Sequence, residues 1–374
     1  MNKNLIPPGF RDDLSPVVEK EHAYTNKIIS IFNSNGYLMV KPPLIEFYKK
    51  LDREKNVFLI SDENELSNLK IREDITMQVA RIASTRLKKI ERPLRLCYYG
   101  EVVRSKGSML RPERQFLQVG AECIGEKSIL ADCEILLLAV RSLQSVGIKN
   151  ISIDLSTPIF LDNIINNELV DKNKKNTFLK YIKRKDVVKT LSYLKNNSKK
   201  RLIENLFNSS GKLESKIKFL DQMMIGKQAT TEINNIKKIF NLIKRKIGDT
   251  KVNIDFTEVK TNSYYSGINY TIFAKNIRGE IARGGRYLTN NEEGEYSVGF
   301  TCYMDTVLRA SSAKNSNKRI IVPFNISDQM LKNLIKRNFI IEKSLNIKSL
   351  TKTTKSDFKK NCNYALINNK IVKI

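Results

Sequence analysis

Apolar residues recur at helical spacing in two stretches of the first half of the chain. One stretch begins at Ser15-Pro16, where a serine N-cap and a proline in the first turn predict a helix that ends before Gly36. The other begins at Ser128, a second predicted N-cap, and continues to Gly147. Both patterns predict amphipathic helices packed against a core.

Runs of apolar and β-branched residues between turn signals predict strands. Residues 94–104 and 116–124 flank a polar loop of eleven residues and indicate an antiparallel hairpin. Residues 37–47 are predicted to be extended, and Pro42-Pro43 favours a sheet edge or an interface there. Further strands are predicted at 151–155, 252–256, 268–274 and 297–303, the last followed by a helix after Asp305.

The periodicity changes along the chain and divides it into regions. Residues 157–247 show helical spacing with few strand signals, so we expect a helical insertion between 1–156 and 248–312, which together form one α+β core. Residues 313–374 are predicted to form a small C-terminal unit, too short to hold a large core. A chain of 374 residues is expected to divide because single cores usually stop growing at a smaller size.

The composition is that of an ordinary globular protein, with 41% hydrophobic and 28% charged residues. The first ten residues lack the apolar run of a signal peptide, and the longest apolar stretch, near 135–140, is too short to cross a bilayer. We therefore expect a cytoplasmic protein with no membrane partner. The five cysteines show no CxxC spacing and His22 is the single histidine, so we expect reduced core cysteines and neither metal nor cofactor.

The net charge of +27 could change this interpretation, because a basic surface is typical of nucleic-acid binding. Residues 161–250 carry +12 and residues 311–374 carry +11, which leaves +4 for the rest of the chain. The lysines are interspersed with asparagines, as in residues 173–176. This pattern favours solvent-exposed protein faces over a surface that recognises a groove of a nucleic acid. Nucleic acid is therefore not the expected partner, and RNA binding is kept as an alternative.

Two groups of polar residues could form a binding site, in a chain without GxGxxG, GxxxxGK[ST], GxSxG or HExxH motifs. Asp74 and Thr76 precede a helical run and could hold an ammonium group, although helix capping alone explains them more simply. Gln118 and Glu122 lie on one face of a strand with Gly120. That face indicates either a pocket for a polar, cation-bearing ligand or a solvated side of the sheet.

Tyr265 and Tyr287 adjoin glycines at positions 267 and 284–285. Glycine lets a backbone approach a ligand closely, and a tyrosine beside it supplies an aromatic wall with a polar tip. A tight turn with core tyrosines is the alternative.

Taken together and in this order, these segments resemble histidyl-tRNA synthetase and its paralogues, the regulatory subunits of ATP phosphoribosyltransferase, across residues 5–310. Residues 7–12 resemble the first conserved segment of the family, and residues 36–46 resemble its dimer-forming first motif. Residues 98–125 resemble its second motif, and residues 282–287 resemble its glycine-rich motif. The resemblance implies a class II aminoacyl-tRNA synthetase-like core, which is an antiparallel sheet flanked by helices.

The resemblance also implies a histidine-binding site. The residues that match by motif are Asp74, Thr76, Arg104, Gln118, Glu122, Tyr265 and Tyr287. The two tyrosines would line the imidazole side, and Arg104 corresponds to the arginine that holds the adenylate phosphate in synthetases. The remaining four would contact the ammonium and carboxylate region of the amino acid.

Two positions depart from the synthetase pattern. Lys260 stands where the synthetase has an arginine before its Gly-Leu-Asp-Tyr-Tyr run, and Thr306 replaces the third-motif arginine that clamps ATP. Because fixed positive groups stabilise the charge that develops during amino-acid activation, the loss of one such group typically costs about 10²–10³-fold in rate. We therefore expect no catalytic residues and no aminoacylation.

The resemblance thus favours the regulatory paralogue. It implies a homodimer through the class II core, which joins the short-form ATP phosphoribosyltransferase catalytic subunit in a hetero-octamer. L-Histidine would bind as the feedback inhibitor of the first step of its own biosynthesis. A divergent histidyl-tRNA synthetase and a synthetase-like RNA-binding adaptor are the alternatives.

Overall fold

In the computed structural model the chain divides after Ala313 into two units, Met1–Ala313 and Lys314–Ile374. The structure describes residues 5–48, 56–60, 69–158, 161, 172–221, 227–257, 265–289, 294–311, 318–345 and 362–374. Among these residues no helix combines the length and the apolar character that crossing a bilayer needs.

A nine-stranded sheet forms the centre of the first unit. Its strand order is β1 (Leu38–Met39), β5 (Leu94–Val103), β6 (Gln115–Ile124), β12 (Tyr296–Tyr303), β11 (Ala282–Leu288), β10 (Tyr265–Ala274), β7 (Ile151–Ser156), β9 (Lys251–Ile254) and β8 (Gly211–Lys212). All neighbours from β5 to β7 are antiparallel, which confirms the predicted hairpin and the α+β class. A separate three-stranded sheet has the order β2 (Ile45–Phe47), β4 (Leu69–Ile71) and β3 (Phe58–Ile60).

Helices cover the two faces of the large sheet. On one face, α1 (Val17–Ser34) and α3 (Ile129–Ser145) pack their apolar sides on β6 and β12, with Phe32 against Phe300. On the other face lies α2 (Thr76–Thr85), whose Val79 shares a core with Phe116 and Tyr303. Directly after β12 comes α9 (Met304–Ala310).

The two predicted N-caps have different outcomes. The Ser128 side chain accepts a hydrogen bond from the amide of Leu130, which confirms that it caps α3. The prediction for Ser15 is wrong, because the N-cap of α1 is Pro16 and no side chain caps this helix. The helix begins at Val17, so the Ser15 hydroxyl lies one position too early to reach the amides that a capping side chain serves.

Among the described residues of the region that is predicted to be an insertion, five helices are found: α4 (Lys172–Lys183), α5 (Val187–Ser192), α6 (Asn197–Ser209), α7 (Leu213–Asp221) and α8 (Lys227–Ile243). Their buried apolar residues belong to the same cluster as those of α1 and α3, and α8 packs directly on α3. The sequence between α6 and α7 supplies β8, which pairs with β9. The insertion is therefore continuous with the main core.

The described part of the second unit, residues 318–345 and 362–374, forms a four-stranded sheet with one helix. The strand order is β14 (Phe339–Lys343), β13 (Lys318–Val322), β15 (Tyr364–Ile367) and β16 (Lys370–Lys373), and α10 (Asp328–Lys336) lies between β13 and β14 in sequence. Ile320, Leu334 and Phe339 belong to the small core that it contains.

Candidate functional site

A buried polar cluster occupies the sheet face that α2 covers, and Glu122 is its centre. Gln118 and Glu122 are 0% and 1% exposed, so the alternative of a solvated sheet face is wrong. The Tyr98 hydroxyl donates a hydrogen bond to Glu122 Oε1 at 3.3 Å, and the Tyr287 hydroxyl donates to Oε2 at 3.0 Å. The cluster thus joins strands β5, β6 and β11 through one carboxyl group.

Tyr98 extends this cluster and was not among the residues predicted from the sequence. Its hydroxyl lies 3.0 Å from Thr76 Oγ1 and 2.7 Å from Thr301 Oγ1. In the hairpin register Tyr98 is opposite Gly120, so it shares the face of Gln118 and Glu122. Counting residues across the predicted hairpin could have found it.

Asp74 and Gln118 connect the cluster to the start of α2. Gln118 Nε2 donates to Asp74 Oδ2 at 3.0 Å, and the amide of Ile75 donates to Gln118 Oε1 at 3.1 Å. The amide of Thr76 donates to the other Asp74 oxygen at 2.9 Å. Asp74 therefore binds the orphan amide of a helix start with one oxygen and Gln118 with the other, so helix capping accounts for only one of its two oxygens.

Glycines provide the room that the polar side chains fill. Gly299 is the register partner of Glu122, and a Cβ atom built there would overlap Glu122 Oε2. A Cβ atom at Gly120 would likewise overlap the Tyr98 ring. Gly284 and Gly285 lie inside β11, so the alternative of a tight turn is wrong for the glycine-rich motif. These glycines let large polar side chains lie flat across neighbouring strands.

Burial controls the protonation of the cluster. It raises the pKa of Glu122 to about 8, and the negative charge of Asp74 adds to this effect, whereas hydrogen bonds from Tyr287, Thr76 and Tyr98 oppose it. Burial also raises the pKa of Tyr98 above its usual value. Near pH 7 the carboxyl group is therefore mostly neutral, and a cationic group that enters the site would favour its ionised form.

The remaining predicted residues flank this cluster. Tyr265 is the register partner of Tyr287, which places the two tyrosines side by side on β10 and β11. Arg104 follows the end of β5, and its guanidinium lies 4.9 Å from the ring centroid of Phe116, on the same strand face as Gln118. Arg104 thus borders the cluster on the side away from the tyrosines.

Thr306 lies in the first turn of α9 and is fully buried. Its Oγ1 lies 2.8 Å from the carbonyl oxygen of Glu280 and 2.9 Å from that of Tyr303, and it donates to these backbone oxygens. The hydroxyl is therefore engaged within the protein and carries no charge. Lys260, the other altered position, lies outside the described residues.

Arg111, from the loop between β5 and β6, fills the space beside Thr306. Its Nε donates to Asp305 Oδ2 at 3.1 Å, and its Nη2 donates to the same Glu280 carbonyl oxygen at 3.0 Å. The guanidinium also lies 3.8 Å from the ring centroid of Tyr303. Arg111 is 4% exposed, so this positive charge is buried and already paired with carboxylate. No role for Arg111 was predicted from the sequence.

No metal site is apparent in the described part of the chain, where no three His, Cys, Asp or Glu side chains form a group that could hold an ion. The five cysteines are buried, and none of them forms a disulfide in the described part of the chain. The arrangement is suited to recognising a small, polar, positively charged molecule through hydrogen bonds.

Comparison with known proteins adds independent information. The sequence profile of the family described as histidyl-tRNA synthetase matches residues 9–307. The ATP phosphoribosyltransferase regulatory subunit of Rhodospirillum centenum is 34% identical over 325 residues, which are 85% of this chain and 83% of that protein.

Solved structures show a similar fold. A Bacillus halodurans protein described as an ATP phosphoribosyltransferase regulatory subunit/histidyl-tRNA synthetase has a TM-score of 0.76 at 20% identity, covering 93% of this chain and 95% of its own. A chain of the ATP phosphoribosyl transferase complex from Thermotoga maritima has a TM-score of 0.60 at 19% identity, covering 78% and 98%. These likenesses confirm the predicted class II synthetase-like fold.

Proposed function

Because the chain belongs to the histidyl-tRNA synthetase family and, within it, to the ATP phosphoribosyltransferase regulatory subunits, we propose that its cleft senses histidine and does not activate it. The chain is a non-catalytic subunit of ATP phosphoribosyltransferase. It is required for the activity of the short catalytic subunit and for feedback inhibition of the first step of L-histidine biosynthesis.

The contrast between the two ends of this polar sheet face carries this proposal. At one end, the buried Glu122 is surrounded by hydroxyl donors and can pair with a cationic group of an amino acid. At the other end, Thr306 is neutral and Arg111 is already bound by Asp305. Adenylate formation needs fixed positive groups that stabilise phosphate charge, and the third-motif position supplies none, because Thr306 is neutral.

Histidine is proposed to bind at Asp74, Thr76, Arg104, Gln118, Glu122, Tyr265 and Tyr287. Five of these are supported by the hydrogen bonds that join them around Glu122, and Tyr265 by its register with Tyr287. Arg104 is supported by its place next to Phe116 at the rim of the same face.

Homodimerisation through the first motif is part of the proposal. Five large apolar residues between 38 and 47 are at least 45% exposed: Leu38, Met39, Leu44, Ile45 and Phe47. They include β1 at the edge of the large sheet, and a patch of this kind marks an interaction surface. Two such dimers with four catalytic chains would form the hetero-octamer. A cytoplasmic location is proposed as well, since buried cysteines outside disulfides suit a reducing compartment.

Reconstitution tests the function. The short catalytic subunit of the same organism is assayed for phosphoribosyl-ATP formation alone, with the full chain, and with the full chain plus L-histidine. We expect little activity alone, restoration by the chain, and inhibition by histidine. Histidine-dependent ATP–pyrophosphate exchange by the chain alone would instead identify a divergent synthetase. Failure to restore activity, with tight and salt-sensitive tRNA binding, would identify an RNA-binding adaptor.

Variants then test the site. Glu122→Ala and Gln118→Ala are expected to weaken histidine inhibition while leaving subunit assembly intact. Gln144→Ala is the control, because this exposed residue on α3 lies away from the cluster. If both site variants are inhibited as strongly as the control, histidine binds elsewhere.

A further inference from the structure

A groove of about 320 Å³ runs along α3, on the side of the large sheet opposite the Glu122 cluster. One face of α3 lines it, with residues that recur every three or four positions: Leu130, Cys133, Glu134, Leu137, Leu138 and Arg141. Asn35, which follows α1, and Leu242 and Lys246, at and beyond the end of α8, complete the lining. The groove therefore extends along about three turns of α3.

Two exposed leucines share this groove. Leu130 is 62% exposed and Leu242 is 46% exposed, and they come from two helices that pack on each other. Single exposed leucines scattered over a surface need no explanation. Two that line the same concave groove form a continuous apolar surface, which marks an interaction site.

Positive charge lies at one end of the groove. Arg141 and Lys246 are exposed, and neither side chain forms a hydrogen bond or an ion pair with another residue that the structure describes. Gln144, one turn beyond Arg141, donates from Nε2 to the carbonyl oxygen of Ile247 at 3.5 Å. This contact joins the ends of α3 and α8, so the two cations belong to the same end of the groove.

The charge of Glu134, the acidic residue in the lining, is already compensated. Arg95 donates from Nε and Nη2 to its two carboxylate oxygens at 2.7 and 2.9 Å, and the Tyr37 hydroxyl donates to Oε1 at 2.8 Å. The hydrogen bonds from Arg95 keep the pKa of Glu134 below its ordinary value, so the ion pair persists at neutral pH. The charges of Arg141 and Lys246 are therefore left for a partner.

We propose that this groove binds an acidic, amphipathic helix of the short catalytic subunit. The inference rests on the proposed function, which makes that subunit the partner, and adds to it the surface that receives the partner. The apolar stripe of the helix lies on Leu130 and Leu242, and its carboxylates pair with Arg141 and Lys246. The α3 face from 130 to 141 is roughly 16 Å long, which matches about three turns of a docked helix.

Two other occupants fit the groove less well. A second copy of this chain carries the same net charge of +27, so its basic surface meets the two cations with like charge. The phosphates of a nucleic acid match the cations but leave Leu130 and Leu242 exposed to water. An acidic segment with an apolar stripe satisfies both features at once.

The affinity of the full chain for the short catalytic subunit of the same organism tests the groove. Arg141→Glu and Lys246→Glu are each expected to weaken the complex about 10–100-fold, because each places a carboxylate beside those of the docked helix. Leu242→Ser should weaken it about tenfold through the loss of apolar contact. Raising the salt concentration from about 50 to about 500 mM should weaken the complex of the unaltered chain more than that of the double charge-reversal variant.

The matched controls are Arg278→Glu and Lys275→Glu, which reverse the same charges at exposed positions outside the groove lining. They should change the affinity less than about twofold. All variants should bind histidine as the unaltered chain does, since the groove and the Glu122 cluster lie on opposite sides of the sheet. A variant that loses histidine binding as well is damaged in general, and the exchange measurement below then decides.

Hydrogen–deuterium exchange of the unaltered chain needs no substitution. The amides of residues 130–141 and 238–247 should exchange more slowly when the catalytic subunit is bound, because docking suppresses local opening of both helices. Exchange at these amides that is unchanged by the catalytic subunit would overturn the inference.

The remaining outcomes separate the inference from the proposed function. If the groove variants bind the catalytic subunit as tightly as the controls, the subunit docks elsewhere and the proposed function stands. Protection of the groove that grows with the concentration of the chain alone, or that appears with tRNA, identifies a second copy or a nucleic acid as the occupant and also overturns the inference. If the unaltered chain neither binds nor activates the catalytic subunit, the proposed function itself fails.

Discussion

Replacing Glu122 by glutamine tests the protonation chemistry of the site. The substitution keeps the shape of the side chain and removes its ability to ionise. With a pKa of about 8, the carboxyl group of the free chain is about 90% protonated at pH 7. If the ammonium group of histidine, which is already protonated at pH 7, pairs with the carboxylate, binding must release the Glu122 proton, so about 0.9 proton should leave for each histidine bound at pH 7.

Calorimetry in two buffers of different ionisation enthalpy measures this proton release directly. We expect a value near one for the unaltered chain and near zero for Glu122→Gln, together with a loss of about 10–100-fold in histidine affinity. Glu134→Gln is the matched control, because hydrogen bonding to Arg95 lowers the pKa of Glu134 and keeps it ionised throughout. Histidine binding without proton release in the unaltered chain would refute the reasoning, as would equal release in Glu122→Gln.

The Glu122 carboxyl group also determines how the stability of the chain is expected to change with pH. The pKa of Glu122 is higher in the folded chain than its ordinary value of 4.5. Its contribution to stability is therefore fully present below pH 4.5 and is lost as the pH rises through about 8. The melting temperature of Glu122→Gln should fall less between pH 6 and pH 9 than that of the unaltered chain.

Three further substitutions follow from the packing. Gly299→Ala should lower the free energy of unfolding by about 1–3 kcal/mol and abolish histidine inhibition, because its new methyl group overlaps Glu122; thermal melts and inhibition curves measure both effects. Arg111→Ala should cost about 3–5 kcal/mol in denaturant unfolding, because it leaves the Asp305 carboxylate buried without this partner. Phe47→Asp should convert the proposed dimer to a monomer in sedimentation experiments, because it places a charge in the exposed apolar patch.

Matched substitutions control for general damage. Gly267→Ala also adds a methyl group to a buried strand glycine, but the nearest side-chain atom, on Arg286, is 3.4 Å away. Arg11→Ala breaks an exposed ion pair with Asp13 and should cost less than about 1 kcal/mol. Phe324→Asp alters an exposed phenylalanine of the second unit. Equal effects of a test variant and its control would contradict the corresponding explanation.

Local sequence patterns predicted those parts of the fold that depend on neighbouring residues. The hairpin of β5 and β6 and the cap of α3 by Ser128 follow from alternation and from one side chain near a helix start. The polar face of β6 was also predictable, because residues two apart in a strand share a side. The burial of this face could not be predicted, because it depends on α2 and on strands that are distant in the sequence.

The remaining features depend on contacts between residues far apart in the chain. Arg111 is hydrogen-bonded to Glu280 and Asp305, which are 169 and 194 residues away in the sequence. Local sequence patterns do not predict contacts between residues so far apart. The glycine-rich motif has little intrinsic preference for a strand, and a turn was the natural alternative. Gly285 lies in a strand because Gly299 faces it on β12, where Glu122 crosses over the backbone.

The hydroxyl groups around Glu122 have a consequence for how this site can change over generations. Tyr98, Thr76, Thr301 and Tyr287 share one connected set of donors and acceptors, so the effect of replacing one depends on which others are present. Single replacements would look almost equally harmful, and their costs would not add. A descendant that acquires a different effector would need several exchanges at once, which makes this patch of the sheet slow to diverge.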